Sequence, residues 1–434
     1  MNTALVRRFT CIVAVALGAT ADAASAESLA DAWALAQQHD QSLAAVRTHA
    51  EAAGLDVQAT RGQRWPTVTV SGAYSRLDDS PAFDFSWTGL PFRPPPLFEH
   101  DAVATGATTV TLPLFTSGRI SAGIAAAEAR AHAADARVDA TSGDVRLAVA
   151  EAYVGVLRAR KALVVADSNV RTLESLERDT GSLFERELVP RNELLTARVA
   201  LANAKQEALR ASNTEAVALA AYNRRLGAAM DRPVELDEVV DVPSGLPESL
   251  EALTEQALAR RAELAMLDAQ AEAYGQMATT ERSRALPQVV LTGSYQYLGN
   301  QFLDDETVGM AGVGVQWSLF DGGQARKRAA ALERTKRATT QQRAEAESLI
   351  ALQVREAWLG WQEAKQRIEL TAHAAEQADE SLRIAQERYA AGLGTQTQLL
   401  EAQTFRVQAL RNRDDAALDV RLAQLRLARA AGML

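Results

Sequence analysis

Cysteine is almost missing from this chain: the one cysteine among 434 residues is Cys11, inside an apolar N-terminal run. Arg7 and Arg8 precede that run, which extends from Phe9 to Gly18, and small residues follow as far as Ala24-Ser25-Ala26. This is the pattern of a secretory signal peptide over 1–26, cut before Glu27. Arg8-Phe9-Thr10 lacks the small residues expected before a lipid-modified cysteine, so the mature chain is expected to carry neither a thiol nor a lipid anchor. An exported chain of this kind uses no disulfide or thiolate chemistry and takes its stability from packing and assembly.

Proline is missing from two long stretches. All 12 prolines lie at or before Pro287, and none falls between Leu114 and Val189 or between Gln288 and Leu434. Proline cannot donate to a helix and restricts the residue before it, so long helices can run only in these stretches. Beyond the signal segment no apolar run approaches the roughly 20 residues of a membrane-spanning helix, which leaves any membrane contact to strands. The 5 histidines, His39, His49, His100, His132 and His373, are scattered without metal-ligand spacing. There is no glycine-rich phosphate loop and no nucleophile elbow. No metal, no cofactor and no enzymatic activity are therefore expected. The formal charge of −9 becomes −10 once Arg7, Arg8 and Asp22 are removed, which gives no reason to expect nucleic acid.

What the chain does contain is itself, twice. Ser28–Leu77 recurs at Ser249–Leu298, so that Leu43, Gly54, Arg61, Pro66, Gly72 and Tyr74 fall on Leu264, Gly275, Arg282, Pro287, Gly293 and Tyr295. Leu114–Gly227 recurs at Leu319–Gly432, with Leu147, Glu151 and Gly155 falling on Leu352, Glu356 and Gly360. Each copy reads as a helix, a pair of strands and two further helices. Repeat one covers 27–227, a linker 228–247 and repeat two 248–434. Such duplication suits a part of an assembly better than an enzyme with one pocket.

The segments at about 122–187 and 325–391 are rich in Ala, Leu, Arg and Glu with apolar residues at helical spacing, and each reads as a single helix of roughly 100 Å. Each is followed by a break and a returning helix, at about 192–226 and 396–431. Gly143, Gly155, Gly181 and Gly360 mark bends or close approaches. The paired Glu151 and Glu356 read as marks of packing and register.

Four segments alternate with period two and are expected as strands at about 66–77, 103–115, 287–298 and 308–320. One face would carry Val68, Val70, Tyr74, Val110, Leu112, Val289, Leu291, Tyr295, Val313, Val315 and Trp317, and the other polar residues such as Thr67, Thr69, Thr292 and Ser294. No remaining segment is available to cover both hairpins, so the apolar face is expected to meet lipid. In lipid every backbone donor and acceptor must be paired, which demands a closed barrel. Four strands are too few, because such barrels begin at about eight. Several copies must then each lend four strands. The loops at 78–101 and 299–306 absorb the length difference between the copies and belong at an exposed end.

With these features in place the chain resembles the TolC-type outer-membrane efflux proteins over nearly its whole mature length. The most specific match is Glu387-Arg-Tyr-Ala-Ala-Gly-Leu-Gly-Thr395 with Leu399, Leu400, Glu401, Ala402 and Gln403, which is similar to the family's helix-to-helix turn. Leu319-Phe-Asp-Gly-Gly323 is similar to its strand-to-helix junction. The resemblance implies a mostly α protein with a transmembrane β-barrel contribution, a homotrimer with a 12-strand barrel in the outer membrane, and a helical tunnel through the periplasm. Its partners would be outer-membrane lipid, a periplasmic adaptor and an inner-membrane pump.

The resemblance also implies site residues. Tyr389 would pair with Glu193 across neighbouring helices in the closed periplasmic end. Glu401 and Gln398 stand at two positions that present acidic rings to the entrance, and only Glu401 keeps the charge. Gly392, Leu393 and Thr395, with Leu188 and Val189 of the other turn, would contact the adaptor. The first copy departs from the pattern, with Glu187-Leu-Val-Pro190 where a glycine-containing turn is usual. The rival class is a non-transporting coiled-coil adaptor or stalk of the cell envelope.

Overall fold

A computed structural model of the chain describes residues 26–78, 87, 89, 102–242, 245–299 and 304–434. The signal segment up to residue 25 and most of the loop 78–101 lie outside the described residues. In chain order the elements are α1 (Leu29–His39), α2 (Gln41–Gly62), β1 (Thr67–Arg76), β2 (Ala102–Phe115), α3 (Arg119–Glu185) and α4 (Arg191–Arg225). The second copy repeats them as α5 (Leu250–Arg260), α6 (Ala262–Ser283), β3 (Gln288–Leu298), β4 (Thr307–Gln316), α7 (Gln324–Ala390) and α8 (Gln396–Ala430). Each of α3 and α7 is 67 residues long. No helix among the described residues is long and apolar enough to cross a membrane.

The opening segment of each copy is two helices where the sequence suggested one. The break falls at Asp40 and at the matching Arg261, both at φ −66 and ψ 119. Helical periodicity continues across the break, so an apolar pattern does not reveal it. Asp40 caps α2 by accepting from the amides of Ser42 and Leu43. Arg261 has no acceptor to offer and makes no cap. It pairs instead with Glu263 and donates towards the Ala430 carbonyl of α8 at 3.3 Å.

The four strands form one antiparallel sheet in the order β1-β2-β3-β4, so the two hairpins join through β2 and β3. β4 stops at Gln316, short of the expected residue 320, because its last partner is Gln288 at the start of β3. β1 and β4 are the open edges, and every residue of both is exposed in the single chain.

The chain divides into two compact units, one of residues 1–35 with 152–241 and the other of 36–151 with 242–434. In the first, buried Tyr153 and Tyr222 stack edge to face at 5.9 Å beneath the linker. The Tyr153 hydroxyl lies 2.9 Å from the Glu27 carbonyl and 2.7 Å from that of Asp237. Burial, with the Asp237 carboxylate nearby, pushes its pKa up to about 12, so it stays a neutral donor. Tyr222 donates to the Glu27 carboxylate, which also receives Arg232 at 2.9 Å.

In the second unit Leu253, Leu264, Ile350, Val354 and Leu427 form an apolar cluster, with Trp358 and Trp361 packed on it. Beside it sits a polar knot. Arg429, 10% exposed, donates to Asp144 at 2.7 Å and to Glu263 at 2.8 Å. Glu263 receives Arg261 on its other side at 2.9 Å. Burial pushes the Glu263 carboxyl up, but hydrogen bonds from Arg261 and Arg429 outweigh it and hold the group at about 2. Of the four glycines in the long helices expected at bends or contacts, Gly143 is a tight approach: a Cβ there would lie 3.0 Å from Arg429 Nε. Nothing lies within 4 Å of a Cβ built at Gly155 or Gly360.

Candidate functional site

Two regions carry the sequence-predicted site residues: the helix-to-helix turns and the sheet face. At the second turn α7 ends with Gly392 in the left-handed conformation, φ 72. The Gly392 amide donates to the Tyr389 carbonyl at 3.0 Å and the Leu393 amide to that of Arg388 at 2.8 Å, the double bond pattern of a glycine-closed helix end. Gly394 adds a third donor, its amide also reaching the Arg388 carbonyl at 3.0 Å. Thr395 then caps α8: its hydroxyl accepts from the Gln398 amide at 3.3 Å, and the Gln398 side chain accepts from the Thr395 amide at 3.3 Å. That reciprocal capping box is a role of Gln398 that a reading of it as a lost acidic-ring position passes over. Leu393 projects with 72% of its surface exposed, Glu401 is exposed on α8 and Tyr389 is half-buried near the end of α7.

The first turn takes the same backbone course in spite of its different sequence. Glu187 occupies the left-handed position, φ 59, and matches Gly392 in the repeat. Its amide donates to the Phe184 carbonyl and that of Leu188 to the Leu183 carbonyl, both at 2.9 Å. Leu188 is 66% exposed and Val189 is half-buried. The next helix starts differently, because Pro190 stands at the N-cap with no side-chain cap. Glu193 is at the position of Gln398, but Pro190 has no N–H for it to receive, so no capping box can form. Its charge in the first turn of α4 still complements the helix dipole. Glu193 belongs to the first unit and Tyr389 to the second.

On the sheet, cross-strand partners share a face, so the register sorts the residues directly. Val68 opposes Val110, Leu112 opposes Leu291, Leu291 opposes Val313, and Val289 opposes Val315. Val70, Thr108 and Tyr295 form one row across three strands, and Tyr74 lies four residues along from Val70 on the same face. All ten of the strand residues expected on one face do lie on one, and Trp317 follows β4 in the same phase. The opposite face is polar through Thr67, Thr69, Thr109, Thr111, Thr292 and Ser294, but not throughout. β4 places Val308 and Met310 opposite Gln296 and Ser294, so the expected contrast in polarity fades at that edge.

Two further features hold the second unit together, one with no signal in the sequence and one marked there by the repeat. The knot of Asp144, Arg261, Glu263 and Arg429 gathers residues scattered over the whole second unit with no motif among them. Glu151 pairs with Arg426 at 2.8 Å, which gives the recurring Glu-Ala-Tyr a packing role in the first copy. A groove of about 830 Å³ between α3, α7 and α8 is lined by Leu147, Ile350, Gly360 and Leu422 and edged by such ion pairs. Among the described residues no group of acidic, histidine or cysteine side chains is arranged to hold a metal ion.

Residues 33–228 and 253–433 match the family model described as outer membrane efflux protein. The chain is 25% identical over 321 residues to outer membrane protein TolC of Vibrio cholerae, covering 72% of this chain and 69% of that protein. In fold it is similar to the Campylobacter jejuni CmeC outer membrane channel, with a TM-score of 0.80, 14% identity, and 100% and 94% of the two chains covered. It is likewise similar to the outer membrane protein VceC of Vibrio cholerae, with a TM-score of 0.76, 18% identity, and 93% and 96% covered.

Proposed function

Because the chain belongs to the outer membrane efflux protein family, we propose that it is the exit duct of a tripartite efflux or type I secretion system, closed as a trimer. Three four-stranded sheets join edge to edge into a twelve-strand barrel, and the long helices continue the lumen as a periplasmic tunnel. One observation carries the reading: a four-stranded sheet with two open, fully exposed edge strands and a mainly apolar face that runs across all four strands. Open edges in lipid would leave backbone groups unpaired at several kcal/mol each, so β1 of one copy must find β4 of the next.

Substrate enters from a periplasmic adaptor fed by an inner-membrane pump. The adaptor contacts are the two turns, with Leu393 and Leu188 as exposed apolar tips and Gly392, Thr395 and Val189 shaping them. At rest a Tyr389 to Glu193 hydrogen bond helps hold the tip closed, and three Glu401 carboxylates form a ring that favours cations. Gln398 contributes no charge to that ring and serves the capping box.

Purified full-length protein is to be tested for outer-membrane fractionation and for conductance in planar bilayers. Discrete trimer channels with a cation preference that falls in Glu401→Gln are expected. A folded protein that fractionates with the outer membrane yet never conducts would overturn the reading.

A further inference from the structure

The four junctions where strands meet helices carry a charge pattern opposite to that of the chain. Segments 61–66, 116–119, 282–287 and 320–328 hold eight cations and a single acid, Asp321, in a protein of formal charge −9. Arg61 and Arg282 are tied to Glu128 and Glu333 at 2.6 and 3.0 Å. Arg64, Arg326, Lys327 and Arg328 are exposed and make no ion pair among the described residues. The last three are the third to fifth residues of α7, whose first turn has no acidic residue. Cations there oppose the helix dipole, so the helix itself gains nothing from them.

At the strand-side ends of these segments and just beyond them lies a band of large exposed apolar side chains. Trp65 is 73% exposed, Phe115 58%, Trp317 55%, Leu319 79% and Phe320 89%. Phe115 is set opposite Val289 by the bulge at the end of β2, which puts it on the apolar face of the sheet. The Trp317 indole donates to the Ala285 carbonyl at 3.1 Å, which fixes the ring just below the last strand residue. Leu114-Phe115 and Leu319-Phe320 hold matching positions in the two copies, so the band recurs at both hairpins.

Aromatic side chains suit the boundary between hydrocarbon and headgroups, and cations just outside it attract anionic headgroups. We propose that this collar binds anionic phospholipid of the periplasmic leaflet, with the aromatic band at the acyl boundary and Arg64, Arg326, Lys327 and Arg328 on the headgroup phosphates. The inference rests on the barrel reading above and adds a lipid preference to it. The collar anchors the barrel vertically in a protein whose sequence predicts no lipid-modified cysteine.

The test is quenching of tryptophan fluorescence in full-length protein reconstituted with brominated phosphatidylglycerol or brominated phosphatidylcholine, with conductance measured on the same preparation. Trp65 and Trp317 report on the collar. Wild type is expected to favour phosphatidylglycerol roughly fivefold or more, with the preference weakening at high salt. The combined Arg64→Gln, Arg326→Gln, Lys327→Gln and Arg328→Gln variant should lose it, whereas Lys327→Arg with Arg328→Lys should keep it. Conducting protein quenched equally by both lipids, or a variant with undiminished preference, overturns the inference alone. Protein that neither conducts nor is quenched overturns the barrel reading and this inference together.

Discussion

Replacing Gly392 with alanine isolates the conformational cost of the second turn. Nothing lies within 4 Å of the added Cβ, so no clash enters, and the whole effect comes from φ 72. Holding an L-residue in the left-handed region costs about 1–2 kcal/mol. Lower freedom of alanine in the unfolded turn returns about 0.4–1 kcal/mol. The net loss of about 1 kcal/mol should raise local opening roughly fivefold. Hydrogen exchange reads this at the Leu393 and Gly394 amides, which both donate to the Arg388 carbonyl, at 2.8 and 3.0 Å. Glu187→Gly is the mirror experiment, since Glu187 holds the same conformation at φ 59 without glycine's freedom. Exchange at the Leu188 amide should slow by a similar factor. Unchanged exchange in Gly392→Ala, or faster exchange in Glu187→Gly, would refute the claim that both turns share one backbone solution.

Glu263 sets an acid limit on the second unit. Its pKa is about 2 folded against an ordinary 4.5, so the stability it contributes is full above pH 5 and is lost as pH falls through 4.5 towards 2. That amounts to about 3 kcal/mol, and the unfolding advantage of wild type over Glu263→Gln should shrink across this window. An equal gap at pH 7 and pH 3 would rule it out. Gly143→Ala should destabilise by about 1–3 kcal/mol in urea unfolding, because the Cβ would press on Arg429, which Asp144 and Glu263 hold in place. An ordinary mid-helix glycine would show the opposite sign. Tyr389→Phe should raise entry of a bulky antibiotic that the outer membrane normally excludes, and unaltered uptake and conductance would count against the gate. Leu393→Ser should leave trimerisation intact while efflux drops, and normal efflux would sink the adaptor assignment.

The long helices and the strand phases were legible because both depend on local periodicity, which proline leaves untouched in α3 and α7 and meets in the strands only at Pro113, beside the bulge of β2. Strand residues such as Val68, Leu291 and Val315 could be sorted onto one face before any pairing was known, since a strand's side-chain period is two. The break at Asp40 could have been read from Asp40-Gln-Ser42 as a cap, but its partner at Arg261 carries no capping signal. The polar knot was not legible at all. Arg429 meets Asp144 across 285 residues of chain, and no short-range pattern encodes such a contact. The end of β4 depends on pairing with Gln288 and was therefore invisible in the alternation, which continues to Leu319.

The two copies keep the backbone and exchange the chemistry. At the broken helix Asp40 caps its own chain, whereas Arg261 reaches away to α8 and the Glu263 knot, so the same dihedral break becomes a local cap in one copy and a tertiary tie in the other. At the turns Thr395 and Gln398 satisfy one another, and Gln398 is thereby committed to its helix. Pro190 removes the donor that would commit Glu193 in the same way. A repeat that substitutes proline for the capping threonine and an acid for the capping amide keeps the backbone and places a charge, in place of a capping amide, in the first turn of the helix. In the proposed gate that substitution, more than the loss of a tip glycine, sets the first copy's turn apart from the second.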